Sequence, residues 1–290
     1  MDNINLKARA KINISLDVLE KREDGYHDLS MIMQSVNLCD DIFIKKTKED
    51  GITLKTNISW LPTDGRNLIY RAASEMVSRY DIKSGLYISL KKVIPVCAGM
   101  AGGSTDCAAT LIGIRNLFHL DIPMDELMAL GKELGADVPF CIMRGTALAE
   151  GIGEKLTRVA PFPKCSILIV KPPVNVSTAN VFKSFVPEKV TARPDNEKLM
   201  YYIKNGELKN ICENMCNVLE SVTIEQYPVL ADIKSFMLEK GALGSLMSGS
   251  GPTVFGIYTT YSSALSTLKA VKEKFGIKEC YVTNAFNIFE

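Results

Sequence analysis

Pro95-Val96-Cys97-Ala98-Gly99-Met100-Ala101-Gly102-Gly103-Ser104-Thr105-Asp106-Cys107-Ala108-Ala109 is the stretch on which the fold of this chain turns. It follows an apolar run over Leu86–Val93 that predicts a strand, and it opens a periodic run over Ser104–Phe118 that predicts a helix. A strand that passes into a helix through small residues brings unpaired backbone N–H groups to the helix N-terminus, with no Cβ to obstruct a close ligand. Such an end attracts phosphate through free amides and the helix dipole. The Ser104 and Thr105 hydroxyls are placed to cap the helix or to touch phosphate oxygens. The spacing is neither the Gly-x4-Gly-Lys-Ser/Thr of a P-loop nor the Gly-x-Gly-x-x-Gly of a dinucleotide fold. Counted as glycines alone, the stretch suits a tight strand-to-helix turn as well as a phosphate cradle.

Toward the N-terminus, Ile4, Leu6, Ala8, Ala10, Ile12, Ile14, Leu16 and Val18 are all apolar and all even-numbered, the period of a half-buried strand. Lys11, Asn13 and Ser15 share its opposite face. A charged turn, Lys21-Arg22-Glu23-Asp24-Gly25, leads to a second strand at Leu29–Asn37, and further strands are predicted at Asp41–Lys46 and Ile52–Thr56. A helix begins near Asn67, with Ile69, Ala72, Ala73, Met76 and Tyr80 on one face. Another spans Met124–Leu134, opened by Pro123 and closed by Gly135.

Strands at Thr146–Ala149 and Leu156–Val159 precede Ala160-Pro161-Phe162-Pro163, which reads as a linker and sets the expected domains at 1–160 and 161–290. The second half is expected to hold a strand at Ser166–Val170, helices at Glu197–Lys204, Leu208–Leu219, Pro228–Glu239 and Ser263–Phe275, and strands at Gly244–Met247, Thr253–Tyr258 and Cys280–Ala285. Strands and helices without strict βαβ alternation predict an α+β class.

With 290 residues, 47% of them hydrophobic and 23% charged, the chain has the balance of a folded domain pair, which excludes disorder and collagen-like structure. Lys+Arg 34 against Asp+Glu 33 leaves a net charge of +1, too little to hold a nucleic-acid backbone or an anionic membrane. No stretch reaches the roughly 18–20 apolar residues of a membrane span, and Met1-Asp2-Asn3-Ile4-Asn5 lacks a basic-then-apolar export signal. A cytoplasmic protein with reduced thiols is expected. The eight cysteines are scattered, and Cys212 and Cys216, four apart on an expected helix, have no second pair to complete a zinc site.

The pattern Pro95-x3-Gly99-x2-Gly102-Gly103-Ser104-Thr105-x2-Ala108-Ala109 resembles the ATP loop of the GHMP small-molecule kinases. Four other segments are similar to motifs of the same family, in the same order: Ala10-Lys11-Ile12-Asn13 with Asp24-Gly25-Tyr26-His27; Asn67-Leu68-Ile69-Tyr70-Arg71-Ala72-Ala73; Gly135-Ala136-Asp137-Val138-Pro139-Phe140; and Met247-Ser248-Gly249-Ser250-Gly251-Pro252-Thr253-Val254-Phe255. The resemblance implies a two-domain GHMP kinase fold, with a ribosomal protein S5 domain 2-like N-terminal domain, a ferredoxin-like C-terminal domain and an active site in the cleft between them. Two departures stand out. Met100-Ala101 replaces the Leu-Gly of many members, and Asp106 stands where some carry Asn, facing either away from the cradle or toward Mg2+.

The resemblance further implies roles. Phosphoryl transfer asks the protein to position the acceptor, to neutralise developing charge and to help a hydroxyl lose its proton. Asp137 is then the base and Lys11 an ammonium that pairs with it. Residues 95–105 (Pro95, Val96, Cys97, Ala98, Gly99, Met100, Ala101, Gly102, Gly103, Ser104, Thr105) and Asn67 bind ATP. Asn13, Tyr26, His27, Asp137, Thr178, Phe182, Gly249 and Ser250 bind the acceptor, a cytidine diphosphate-linked polyol whose base needs aromatic faces. Outside the resemblance, Lys11 reads as a solvated strand charge, Asp137 as a turn cap, Phe182 as core, and His119 as structural. ATP and Mg2+ are the expected cofactors, no protein metal site is assigned, and a monomer or weak homodimer is expected. A homoserine, mevalonate or sugar kinase, or an inactive nucleotide-binding relative, remains open at this point.

Overall fold

The computed structural model describes residues 2 to 288. In chain order it holds β1 (Asn3–Lys21), β2 (His27–Thr47), β3 (Ile52–Thr56), α1 (Leu68–Arg79), β4 (Gly85–Lys91), α2 (Gly102–Leu117), α3 (Met124–Leu134), α4 (Val138–Met143), β5 (Thr146–Gly151) and β6 (Lys155–Arg158). Then come β7 (Ser166–Lys171), α5 (Thr178–Lys183), a 3-10 turn at Pro187–Lys189, α6 (Asn196–Lys204), α7 (Leu208–Asn214), β8 (Cys216–Asn217), α8 (Glu220–Gln226), α9 (Val229–Glu239), β9 (Gly244–Met247), β10 (Val254–Tyr258), α10 (Tyr261–Phe275) and β11 (Glu279–Asn284). The mixed α+β class is as the sequence predicts.

The chain divides into two compact units. The first comprises residues up to Ala10, Leu38–Val96 and Ala101–Met143. In it β4 lies between β3, parallel to it from Ile52↔Leu86, and the later part of β2, antiparallel from Asp41↔Lys91 to Thr47↔Gly85. The helices bury Ile69, Met76, Ile114, Leu127 and Phe140. At Gly113 a Cβ would come within 2.6 Å of the Leu6 side chain and 2.7 Å of that of Ile44, so the absence of a side chain lets α2 lie close on the strands.

The second unit comprises Lys11–Asn37, Cys97–Met100 and the chain from Arg144 onward. The earlier part of β2 pairs antiparallel with β5, from Leu29↔Gly151 to Gln34↔Thr146, and β5 with β6. The short β8 runs parallel to β1 through Ser15↔Cys216 and Leu16↔Asn217. A separate four-stranded sheet has the order β11-β7-β10-β9 with every pair antiparallel, the arrangement of a ferredoxin-like β-α-β-β-α-β unit. Its core holds Ile167, Ile169, Phe255, Ile257 and Tyr258, all fully buried.

Three sequence expectations need correction. The strands expected at 29–37 and 41–46 are one strand; Cys39-Asp40 look like a break, yet Asp40 is fully buried and satisfied inside the ladder. The helix expected over Leu208–Leu219 ends at Asn214, whose side chain donates back to the Asn210 carbonyl, and Met215 is extended (ψ 133°). Cys216 therefore lies on β8 and not on a helix with Cys212. Finally, β1 is not half-buried along its middle. Lys11, Asn13, Ser15 and Asp17 are no more than 7% exposed, so its polar face is enclosed as completely as its apolar one. Enclosed polar groups must be satisfied by specific partners, so this stripe belongs to the interior rather than to the surface.

Candidate active site

The part of the glycine-rich segment from Ala101 onward lies in the first unit. Ala101 is left-handed (φ 54°, ψ 32°) and turns the chain into α2, whose N-terminus no side chain caps. Gly103 is exposed, and a Cβ there would meet only Leu68 Cδ1, at 3.6 Å. An uncapped first turn with an open face is an anion-binding end. Ser104 Oγ lies 4.0 Å from where a Gly135 Cβ would be, so the Gly135-Ala136-Asp137 segment sits beside the loop helix. Asp137 is half-buried and starts α4, its carbonyl accepting from the Cys141 N–H at 3.1 Å. Pro95 is buried and Val96 half-buried. Asn67 is engaged locally: its Oδ1 accepts from the Ile69 N–H at 2.9 Å and its Nδ2 donates to the Pro62 carbonyl at 2.7 Å, so it caps α1.

Directly beneath the cradle lies a buried charge cluster. The Lys92 ammonium donates to Asp40 Oδ2 at 2.5 Å and to Asp106 Oδ2 at 2.7 Å, with all three side chains at most 4% exposed. A Cβ on Gly102 would come within 3.0 Å of that ammonium. Asp40 Oδ1 also accepts the Val93 and Ile94 N–H groups, while Asp106 Oδ1 has no partner. Burial pushes the Asp106 carboxyl well above the ordinary carboxylate range, against the pull of Lys92, and Asp40 adds to the rise. The carboxyl faces inward onto the Lys92 ammonium. Among the described residues no group of three His, Cys, Asp or Glu is arranged to hold a metal ion.

The second unit gathers most of the residues expected on the acceptor side. Lys11 is 5% exposed, which removes the reading as a solvated strand charge. Its ammonium donates to Asn13 Oδ1 at 2.7 Å and its backbone N–H to the Met100 carbonyl at 3.2 Å. Ala98 and Met100 are buried and Cys97 is exposed and left-handed (φ 53°). Gly99 (φ 69°) has room for no side chain, since a Cβ would fall 2.2 Å from the Ser248 carbonyl oxygen; Ser248 Oγ in turn donates to the Gly99 carbonyl at 3.0 Å. A Cβ on Gly249 would lie 3.5 Å from Lys11 Nζ, so the Gly249-Ser250 backbone passes close to the ammonium.

His27 and Phe182 stack, with centroids 5.5 Å apart and planes 27° from parallel. Burial, followed by Lys21, pushes the His27 imidazole below its ordinary value, so the ring is neutral at neutral pH. Phe182 is on α5, whose first residue, Thr178, shares a 2.8 Å hydrogen bond with Ser250 Oγ. Tyr26 is 61% exposed, one residue before His27.

Residues without a motif also belong here. Asn217 holds the carbonyls of Met247 and Gly249, Thr223 holds that of Ser250, and Lys92 with Asp40 underlies the cradle. Asn217 falls where helical spacing was expected, and Asp40 where a strand break was, so local pattern concealed both.

Comparison with known proteins gives a consistent set. Residues 67–145 match the model of the GHMP kinases N terminal domain and residues 199–277 that of the GHMP kinases C terminal domain. A 4-diphosphocytidyl-2-C-methyl-D-erythritol kinase of Lachnospira eligens is 50% identical over 286 residues, 99% of each chain. Its counterpart in Caldicellulosiruptor saccharolyticus is 49% identical, covering 96% of this chain and 95% of its own. A crystal structure of 4-(cytidine 5'-diphospho)-2C-methyl-D-erythritol kinase superposes with a TM-score of 0.84 at 30% identity, over 98% of this chain and all of that one. A homoserine kinase from Cytophaga hutchinsonii shares the fold, with a TM-score of 0.79 at 20% identity over 99% of this chain and 95% of that one.

Proposed function

The chain belongs to the GHMP kinases, and from that premise we propose that it transfers the terminal phosphoryl group of ATP to the 2-hydroxyl of 4-diphosphocytidyl-2-C-methyl-D-erythritol, giving the 2-phosphate and ADP in the methylerythritol phosphate route to isoprenoid precursors. The observation that carries the reading is the His27–Phe182 ring pair beside Tyr26, an aromatic edge that suits a cytosine. Homoserine and mevalonate have no base to place there. The near-50% identity with kinases of that name over almost the whole chain supports the same acceptor.

In this reading residues 95–105 hold MgATP, with the free amides at Gly102–Ser104 on its phosphates and Asn67 at the nucleotide's side, in keeping with the uncapped N-terminus of α2. Mg2+ shares charge across the β and γ phosphates. Asp137 takes the proton from the acceptor hydroxyl, and Lys11 stabilises the transferred charge. Tyr26, His27 and Phe182 hold the cytosine, while Asn13, Thr178, Gly249 and Ser250 hold the polyol and diphosphate. The family's N- and C-terminal domains divide at 160/161, and the protein works in the cytoplasm as a monomer or weak homodimer.

The test is a coupled ADP-release assay with a panel of acceptors. The cytidylyl substrate should turn over, and methylerythritol phosphate, homoserine and mevalonate should be poor. Phe182→Ala should raise the KM for the cytidylyl acceptor by about tenfold with little effect on ATP, since stacking on a base contributes on the order of 1–3 kcal/mol. Faster turnover of homoserine or mevalonate would overturn the assignment.

A further inference from the structure

The loop Met247–Gly251 is fixed from behind by side chains that take no part in the proposed chemistry. Asn217, 3% exposed on β8, engages both of its amide donors and its amide oxygen. Its Nδ2 donates to the carbonyls of Met247 and Gly249, both at 2.8 Å, and its Oδ1 accepts from the Leu219 N–H at 3.0 Å. Thr223 Oγ1 donates to the Ser250 carbonyl at 3.1 Å, and Glu220 Oε1 accepts from the Met247 N–H at 2.8 Å.

In a trans peptide the C=O and N–H point opposite ways. Drawing the Gly249 carbonyl onto Asn217 therefore turns the Ser250 N–H to the other side of the loop. Two nearby amides are occupied, Ser248 N–H by the Thr253 carbonyl at 2.9 Å and Gly251 N–H by the Ser248 carbonyl at 3.0 Å, while the Gly249 N–H has no acceptor among the described residues. The Ser250 N–H has no acceptor among the described residues, and the loop's Gly249 lies against the Lys11 ammonium. A free amide beside a cation is a seat for an anion.

We propose that Asn217 is a positioning residue that, by holding the Gly249 carbonyl, aims the Ser250 N–H at the diphosphate of the acceptor. The choice of diphosphate rests on the function proposed above; the aiming of the amide does not. Asn217→Ala removes both donors, and Asn217→Asp keeps the acceptor for Leu219 but can donate only while its carboxyl is protonated.

Steady-state kinetics and amide NMR test it. Asn217→Asp should raise the KM for the cytidylyl acceptor by about tenfold or more while the KM for ATP changes by less than about twofold. A purely structural residue would instead lower Tm and shift both KM values alike, and that result overturns the proposal. In NMR, cytidine diphosphate should shift the Ser250 amide of the unsubstituted protein and leave it unmoved in Asn217→Ala. A shift in both, or in neither, overturns the proposal. If the unsubstituted protein turns over no cytidylyl acceptor but the amide results hold, the functional reading falls and the positioning role stands.

Discussion

At the scale of single residues, Asp137 and Asp106 differ in their surroundings, and the expected effects of replacing them differ accordingly. Asp137 is half-buried at the start of α4, where it keeps access to a ligand. Asp137→Asn should fold and bind ATP but lose about 10²–10⁴ in turnover, the usual worth of a positioned general base; single-turnover measurements with saturating ATP read this directly. Asp106 is sealed on Lys92, and its carboxyl is held well above its usual range, chiefly by burial. The folded chain thus keeps a proton there that the unfolded chain releases near pH 4. Stability from this group is complete below that pH and is lost as pH rises toward the raised folded value. Asp106→Asn removes the slope, so its Tm relative to the unsubstituted protein should climb as pH rises above about 4. A pH-independent offset in paired melting curves would contradict it.

At the scale of elements, the glycine-rich segment divides into two parts with separable failures. A Cβ at Gly103 would meet only Leu68 Cδ1, at an ordinary 3.6 Å, so Gly103→Val should weaken ATP binding by more than about tenfold with Tm within about 3 °C. Gly99 is left-handed and pressed on the Ser248 carbonyl, so Gly99→Ala should lower Tm by about 5 °C or more. Calorimetric titration with ATP beside thermal melts separates the two. The sequence made such elements legible where one face meets the core: the even-numbered ladder of β1, the spacing of α1, the small residues before α2. It concealed elements whose form depends on distant partners. The two residues of β8 are extended because Leu16 pairs with them and Asn217 serves the 247–249 backbone, and nothing local distinguishes them from a helix. The roles proposed for Lys11 and Asp137 rest on motif wording, since a strand lysine and a turn aspartate are ordinary surface residues until burial is known.

At the scale of the whole molecule, the chain passes between the two units five times, at 10/11, 37/38, 96/97, 100/101 and 143/144. No single cut yields two pieces that each carry one unit. A fragment of residues 161–290 would keep β7, β9, β10 and β11 but lack the Leu16 partner of β8 and the Ser35 carbonyl that accepts the Phe286 N–H. Expressed alone, it should melt with lower cooperativity than the full chain in circular dichroism. A sharp, full-amplitude transition would show the ferredoxin-like sheet to be self-sufficient.

The pairing of Leu29 with Gly151 also sets a clock on synthesis. The edge of β2 that carries Ile32 and Met33 must wait for 122 more residues, 151 less 29, before β5 is made. At roughly 5–20 residues per second, that is about 6–24 s on the ribosome with an unpaired apolar strand edge. Nascent chains stalled before residue 146 should therefore depend on chaperone protection far more than chains stalled well past 151, and slow translation of α1 to α4 would lengthen the hazard rather than relieve it.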